Sequence, residues 1–96
     1  MRISNDRYGR VRVHIDLTGN WEEFDDLVTA LQANPRADSN DVVDGPESRL
    51  CRFTFDGVQL CLVHDDDLGN FVLATEISAR TKAEQYVQMV EFGAGD

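Results

Sequence analysis

The side chains best suited to chemistry sit together in His64-Asp65-Asp66-Asp67. A histidine beside carboxylates can ligate a metal or shuttle a proton. The spacing does not fit a calcium loop. If such a loop opened at Asp65, then Asp65, Asp67 and Gly69 would fill positions one, three and five, and the bidentate acid at twelve would be Glu76, inside a segment with strand patterning. The run reads as a solvated hairpin tip, and no metal or cofactor is assigned. His14 has Asp16 as its one local carboxylate on the same strand face, and a structural role is expected for it. Cys51 and Cys61 lack C-x-x-C spacing and are too few for a disulfide scaffold, so both are expected to be free thiols. Cys51 reads as a small core hydrophobe and Cys61 as the more exposed, with no cationic neighbour to activate it. No G-x-S-x-G, Gly-rich phosphate loop or H-E-x-x-H occurs. No catalytic residue is assigned, and the chain is expected not to be an enzyme.

Charge says more than motifs do. Among 96 residues, 18 are Asp or Glu and 9 are Lys or Arg, giving a net charge of −9. That balance argues against direct binding to nucleic-acid phosphates or anionic lipid and favours a basic protein partner. The acids are clustered: Glu22, Glu23, Asp25 and Asp26 in one segment, Asp38, Asp41, Asp44 and Glu47 in another, with Arg36 the one nearby counter-charge. These eight form the candidate partner-binding surface. The longest uncharged apolar stretches, VQLCLV and NFVLAT, fall far short of the roughly 18 residues a membrane span needs. No signal-peptide pattern is visible at the N-terminus, and a cytoplasmic protein is expected.

These residues must be positioned by a small fold. Val11, Val13, Ile15 and Leu17 alternate with Arg10, Arg12, His14 and Asp16, the period-2 signature of a strand. Asn20 and Glu23 make a capping-box pair that starts a helix at Trp21. Trp21, Phe24, Leu27, Val28 and Leu31 form its apolar stripe. Asn34 suits a left-handed C-cap and Pro35 cannot continue the helix. Residues 35–48 are rich in turn formers and acids and read as an exposed loop.

Beyond the loop, two alternating runs flank Asp56-Gly57, a type I′ hairpin signal. A two-residue turn pairs Phe55 with Val58, Phe53 with Leu60 and Cys51 with Leu62 on one face, and Leu50 with Val63 and Arg52 with Cys61 on the other. Residues 71–77 read as a third meander strand; pairing Asp65 with Asn70 sets Leu62 opposite Leu73, Val63 opposite Val72 and Cys61 opposite Ala74. Thr81 and Glu84 suggest a second capping box before a helix with Ala83, Tyr86, Val87 and Val90 on its stripe, stopped by Gly93.

The expected fold is therefore α+β: a single domain in β-α-β-β-β-α order, with a mostly antiparallel four-stranded sheet and both helices on one face. The first strand is placed at an edge, beside either the strand that begins near Arg49 or the one over residues 71–77, sequential adjacency favouring the former. Leu50, Cys61, Val63, Val72 and Ala74 then lie on the outer sheet face, a possible interface unless long side chains such as Arg52 and Gln59 cover it. Small size, acidity and absence of catalytic motifs resemble, in type rather than in any motif, bacterial immunity and inhibitor proteins that plug nuclease toxins. That resemblance implies a binding protein that masks a basic partner. The alternative is a homodimeric structural or interaction domain, including a secretion-chaperone-like one, built on the outer sheet face.

Overall fold

A computed structural model of the chain, describing residues 2–45 and 48–92, carries six strands and two helices. In chain order these are β1 (Ile3–Asn5), β2 (Val11–His14), α1 (Trp21–Ala33), β3 (Ala37–Asp44), β4 (Ser48–Phe55), β5 (Val58–Asp65), β6 (Gly69–Ala74) and α2 (Arg80–Glu91). The strands form one sheet in the order β1-β2-β6-β5-β4-β3, every neighbouring pair antiparallel. The α+β class and antiparallel sheet stand. The count of four strands and their order do not.

The two additional strands lie at the edges. β1 pairs Ile3 with Val13 and Asn5 with Val11, so β2 is an interior strand. Its other neighbour is β6, through Val11–Ala74 and Val13–Val72, and not the strand near Arg49. The segment expected as an exposed loop contains β3, which pairs with β4 and slips register between Ser39 and Val42. Backbone bonds to β4 override the low strand propensity of its Asp and Asn residues, and the slip breaks the period-2 pattern that would have announced it. Val42 packs on the core, whereas Val43 is exposed.

The β4–β5 hairpin has the expected register throughout, from Phe55–Val58 to Leu50–Val63. Asp56 and Gly57 take φ of 52° and 79°, the left-handed pair a type I′ turn requires. The β5–β6 register differs by one. Asp65 pairs with Gly69, so Leu62 faces Val72, Val63 faces Phe71 and Cys61 faces Leu73. The turn holds three residues, not four: Gly69 takes φ of 80°, and the Asp65 carboxylate accepts from Asp67 N at 2.8 Å and Leu68 N at 3.1 Å. A one-residue shift exchanges the faces of a whole strand.

α1 begins at Trp21 as expected, with the Asn20 side chain accepting from Glu23 N at 2.8 Å. It closes at Ala33, but Asn34 is extended (φ −83°, ψ 119°) rather than left-handed. Phe24, Leu27, Val28 and Leu31 are buried, while Trp21 is 53% exposed. β6 stops at Ala74; Ile77, 85% exposed, opens a 3-10 turn that runs into α2. α2 therefore starts at Arg80 with Ala79 as N-cap and no side-chain cap, leaving Thr81 inside the helix. Gly93 lies outside the described residues. Both helices pack on one sheet face, where Phe24, Leu31, Tyr86 and Val87 join Val13, Cys51, Phe53, Phe55, Leu60, Leu62, Val72 and Ala74 in a single core.

Candidate functional site

Arg49 joins one acid from each acidic segment, Asp25 on α1 and Asp44 at the end of the edge strand β3. Its Nη1 lies 2.6 Å from Asp25 Oδ1 and its Nε 2.6 Å from Asp44 Oδ1. The guanidinium stacks over Trp21 at 4.2 Å from the ring centroid. Arg49 is the counter-charge for this surface; Arg36 instead pairs with Asp56 at the β4–β5 turn. Asp44, and then Asp25, raise the Arg49 pKa above its ordinary value.

Glu23 has an internal task. Its carboxylate accepts from Thr18 N at 2.7 Å, Thr18 Oγ1 at 2.6 Å, Gly19 N at 3.3 Å and Asn70 Nδ2 at 2.9 Å. Burial alone would push its pKa up, but the bonds from Thr18, Asn70 and Gly19 prevail and hold it below the ordinary carboxylate value. Gly19 and Gly69 flank this network with φ of 72° and 80°, the left-handed region that favours glycine.

Glu22 and Asp26 are exposed on α1, one turn apart, with no ion-pair partner among the described residues. They rim an open groove of about 560 Å³ whose apolar lining is Leu17, Leu27, Ala30 and Val90. Leu17, expected to face inward, is 52% exposed because β2 ends at His14 and releases it to the groove edge. Asp38 and Asp41 are exposed on β3, and Glu47 lies outside the described residues.

His64 is not part of a solvated tip. It is buried on the helix side of the sheet beside Phe24 and the edge of Trp21, and only Asp66 and Asp67 reach solvent. Its Nδ1 lies 2.8 Å from Asn70 Oδ1. Asn70 Nδ2 donates to Glu23 and to the Asn20 carbonyl, which fixes the amide and makes His64 Nδ1 the donor. Nε2 points towards Asp66 Oδ1 at 3.5 Å, in a cleft of about 250 Å³ lined also by Trp21, Asp44 and Arg49. Among the described residues no group of three His, Cys, Asp or Glu could hold a metal ion.

The outer sheet face needs correction. Val72 and Ala74 belong to the core beneath the helices; the β5–β6 shift puts Phe71 and Leu73 in their places, beside Leu50, Cys61 and Val63. This cluster is covered within the chain, from 5% exposure at Phe71 to 9% at Val63. Arg12 contributes, lying 5.7 Å from the Phe71 ring centroid. Cys61, expected to be the more exposed thiol, is buried, as is Cys51 on the opposite face. His14 is buried beside Phe71, its Nε2 at 2.8 Å from Ser4 Oγ and its Nδ1 without a partner among the described residues. Tyr8, 69% exposed between Arg7 and Arg10, was not anticipated as a surface feature. Among the described residues no helix is long and apolar enough to cross a membrane. No protein-family model matches the chain, nor does any curated protein or solved structure.

Proposed function

We propose that this chain is a small binding protein that masks a basic protein partner, docking it on the exposed face of α1. The observation that supports this most is the groove beside that helix, whose floor is apolar (Leu17, Leu27, Ala30, Val90) and whose rim carries Glu22 and Asp26, without an ion-pair partner among the described residues. An apolar centre supplies affinity, while the carboxylate rim and the net charge of −9 steer a cationic partner and reject acidic ones. A partner helix or loop presenting one aliphatic side chain between Lys or Arg residues has complementary chemistry. This is the behaviour of an immunity- or inhibitor-type protein, for instance one neutralising a nuclease-type toxin, and it requires no catalysis. Of the eight acids, Glu22 and Asp26 rim this groove, Asp38 and Asp41 lie exposed on the edge strand away from it, Asp25 and Asp44 are held by Arg49, and Glu23 is committed to Thr18, Gly19 and Asn70. Burial of Cys61, Val63, Phe71 and Leu73 inside one chain weighs against a homodimer built on an apolar outer face.

The test titrates labelled protein with an amphipathic Lys/Leu helical peptide, following backbone amide shifts. Shifts confined to Leu17, Glu22, Asp26, Leu27 and Ala30, weakened by salt and lost in a Glu22→Lys/Asp26→Lys variant, support the reading. Equal binding by the charge-reversed variant at low salt refutes it.

A further inference from the structure

His64 is buried, yet one of its ring nitrogens has no hydrogen-bond partner among the described residues. Its side chain is 6% exposed, and Asn70 Oδ1, fixed in place by the two bonds that Asn70 Nδ2 donates, accepts the Nδ1 proton at 2.8 Å. A neutral imidazole has one N–H, so Nε2 presents a lone pair. What it faces is another acceptor, Asp66 Oδ1 at 3.5 Å. Two acceptors that converge without a hydrogen between them mark a place for a donor. Both open into the cleft of about 250 Å³ beside Trp21, Ser48 and Arg49. Arg49 is the one cation among the described residues lining it, and Asp25 and Asp44 each hold that guanidinium at 2.6 Å. With Asp66 the group carries three negative charges against one positive, so the cleft favours a cationic donor.

We propose that this cleft binds the side-chain ammonium of a lysine on a partner protein, Nζ donating to His64 Nε2 and to the Asp66 carboxylate. An ammonium is compact and carries three N–H groups, so it can serve two acceptors that lie 3.5 Å apart. A guanidinium is flat, and its fork matches the paired oxygens of one carboxylate rather than a ring lone pair beside a carboxylate. A volume of about 250 Å³ is less than a drug-sized ligand needs and suits the end of a single side chain. A metal ion would find too few ligands, since no group of three His, Cys, Asp or Glu among the described residues could hold one. Glu23 and Asn70 are positioning residues for this site: their bond orients the Asn70 amide, and the amide keeps the imidazole proton on Nδ1 and the Nε2 lone pair turned to the cleft. The cleft shares no lining residue with the α1 groove, so the proposal goes beyond that reading and does not depend on it.

Trp21 is the single tryptophan and lines the cleft, so its emission reports on occupancy. Titrating the protein at low salt with the end-blocked peptide Gly-Ser-Lys-Ser-Gly is expected to change that emission saturably, at about millimolar peptide, and to move the His64 Nε2 nitrogen resonance. Replacing the peptide lysine by acetyl-lysine or by arginine, or Asp66 by asparagine in the protein, is expected to weaken binding about fivefold or more. The Asp66 side chain is 67% exposed, so Asp66→Asn keeps the fold. His64→Asn retains a donor for Asn70 and removes Nε2; where far-UV circular dichroism shows it folded, it should not bind. No saturable change, a His64 Nε2 resonance that stays still, or equal affinity for the acetyl-lysine peptide, for the arginine peptide or in Asp66→Asn overturns the proposal. Binding that Glu22→Gln/Asp26→Asn removes and Asp66→Asn spares also overturns it, and places the lysine in the α1 groove.

Discussion

Asn70 Nδ2 donates to Glu23 Oε1 across 2.9 Å, joining β6 to the first turn of α1 between residues 47 positions apart. Asn70 is fully buried, and its amide oxygen accepts from His64 Nδ1 at 2.8 Å. One side chain thus satisfies a carboxylate, an imidazole and the Asn20 carbonyl at the point where α1 meets the sheet. Glu23 and Glu22 are adjacent acids with different duties.

Asn70→Ala is therefore expected to cost about 1–3 kcal/mol, since it strands buried partners rather than removing one bond cleanly. Glu22→Gln, on the exposed side of the same turn, should change stability by no more than about 0.5 kcal/mol. Urea midpoints of the two variants check the contrast.

Phe53 and Arg52 make a second contrasting pair. Phe53 is buried 5.0 Å from the Tyr86 ring centroid, whereas Arg52 is exposed on the outer face. Phe53→Ala is expected to lose about 3–5 kcal/mol by leaving a cavity, and Arg52→Ala well under about 1 kcal/mol. Equal losses in denaturant titration would contradict this placement.

How much of this was legible follows from the range of each signal. Asp56-Gly57 sets the β4–β5 register locally, and the alternation of Cys51, Phe53 and Phe55 against Leu60 and Leu62 confirms it without distant information. Asn20 and the stripe from Phe24 to Leu31 likewise announce α1. β3 was illegible because Asp38, Asn40, Asp41 and Asp44 are poor strand residues on an edge, held by pairing with β4. Such charges also discourage edge-to-edge association. At β6, the ambiguity lay in one loop residue, and Val72 and Ala74 changed faces with it. The acidic surface could be read as exposed, but its organisation could not. Arg49 reaches Asp25 over 24 positions, and nothing local links Glu23 to Asn70.

His14 gives the fold a pH dependence near neutrality. Burial first, then Arg2 and Arg12, hold its imidazole below the ordinary value, with Asp16 pulling the other way. A folded-state pKa below the unfolded one means that the unfolded chain binds the proton first as pH falls. The associated stability is complete above about pH 6.5 and is lost as pH drops towards the folded-state value. Glu23 and Asp56 are carboxylates held below their ordinary values, so they add losses only at lower pH, below about 4. Urea midpoints measured from pH 8 down to pH 5 should decline, and His14→Leu should flatten the decline over that range.

The thiols test the sheet faces chemically. Cys51 lies in the core under the helices and Cys61 in the outer cluster, so the β4–β5 register points them to opposite sides of the sheet and an intrachain disulfide would require it to slip. Burial raises both thiol pKa values; at Cys61, Arg52 and Arg10 pull downwards without overcoming it. Neither thiol is therefore an activated nucleophile at neutral pH. Ellman titration of the non-reduced chain should return two free thiols per molecule in denaturant and little rapid reaction in the native state. Partial denaturation that exposes the outer face should release Cys61 before Cys51, because Cys61 lies in the small outer cluster whereas Cys51 lies in the large core beneath the two helices. Mass mapping of the first alkylated cysteine decides the order, and early labelling of Cys51 would show that the helix layer, not the outer face, opens first.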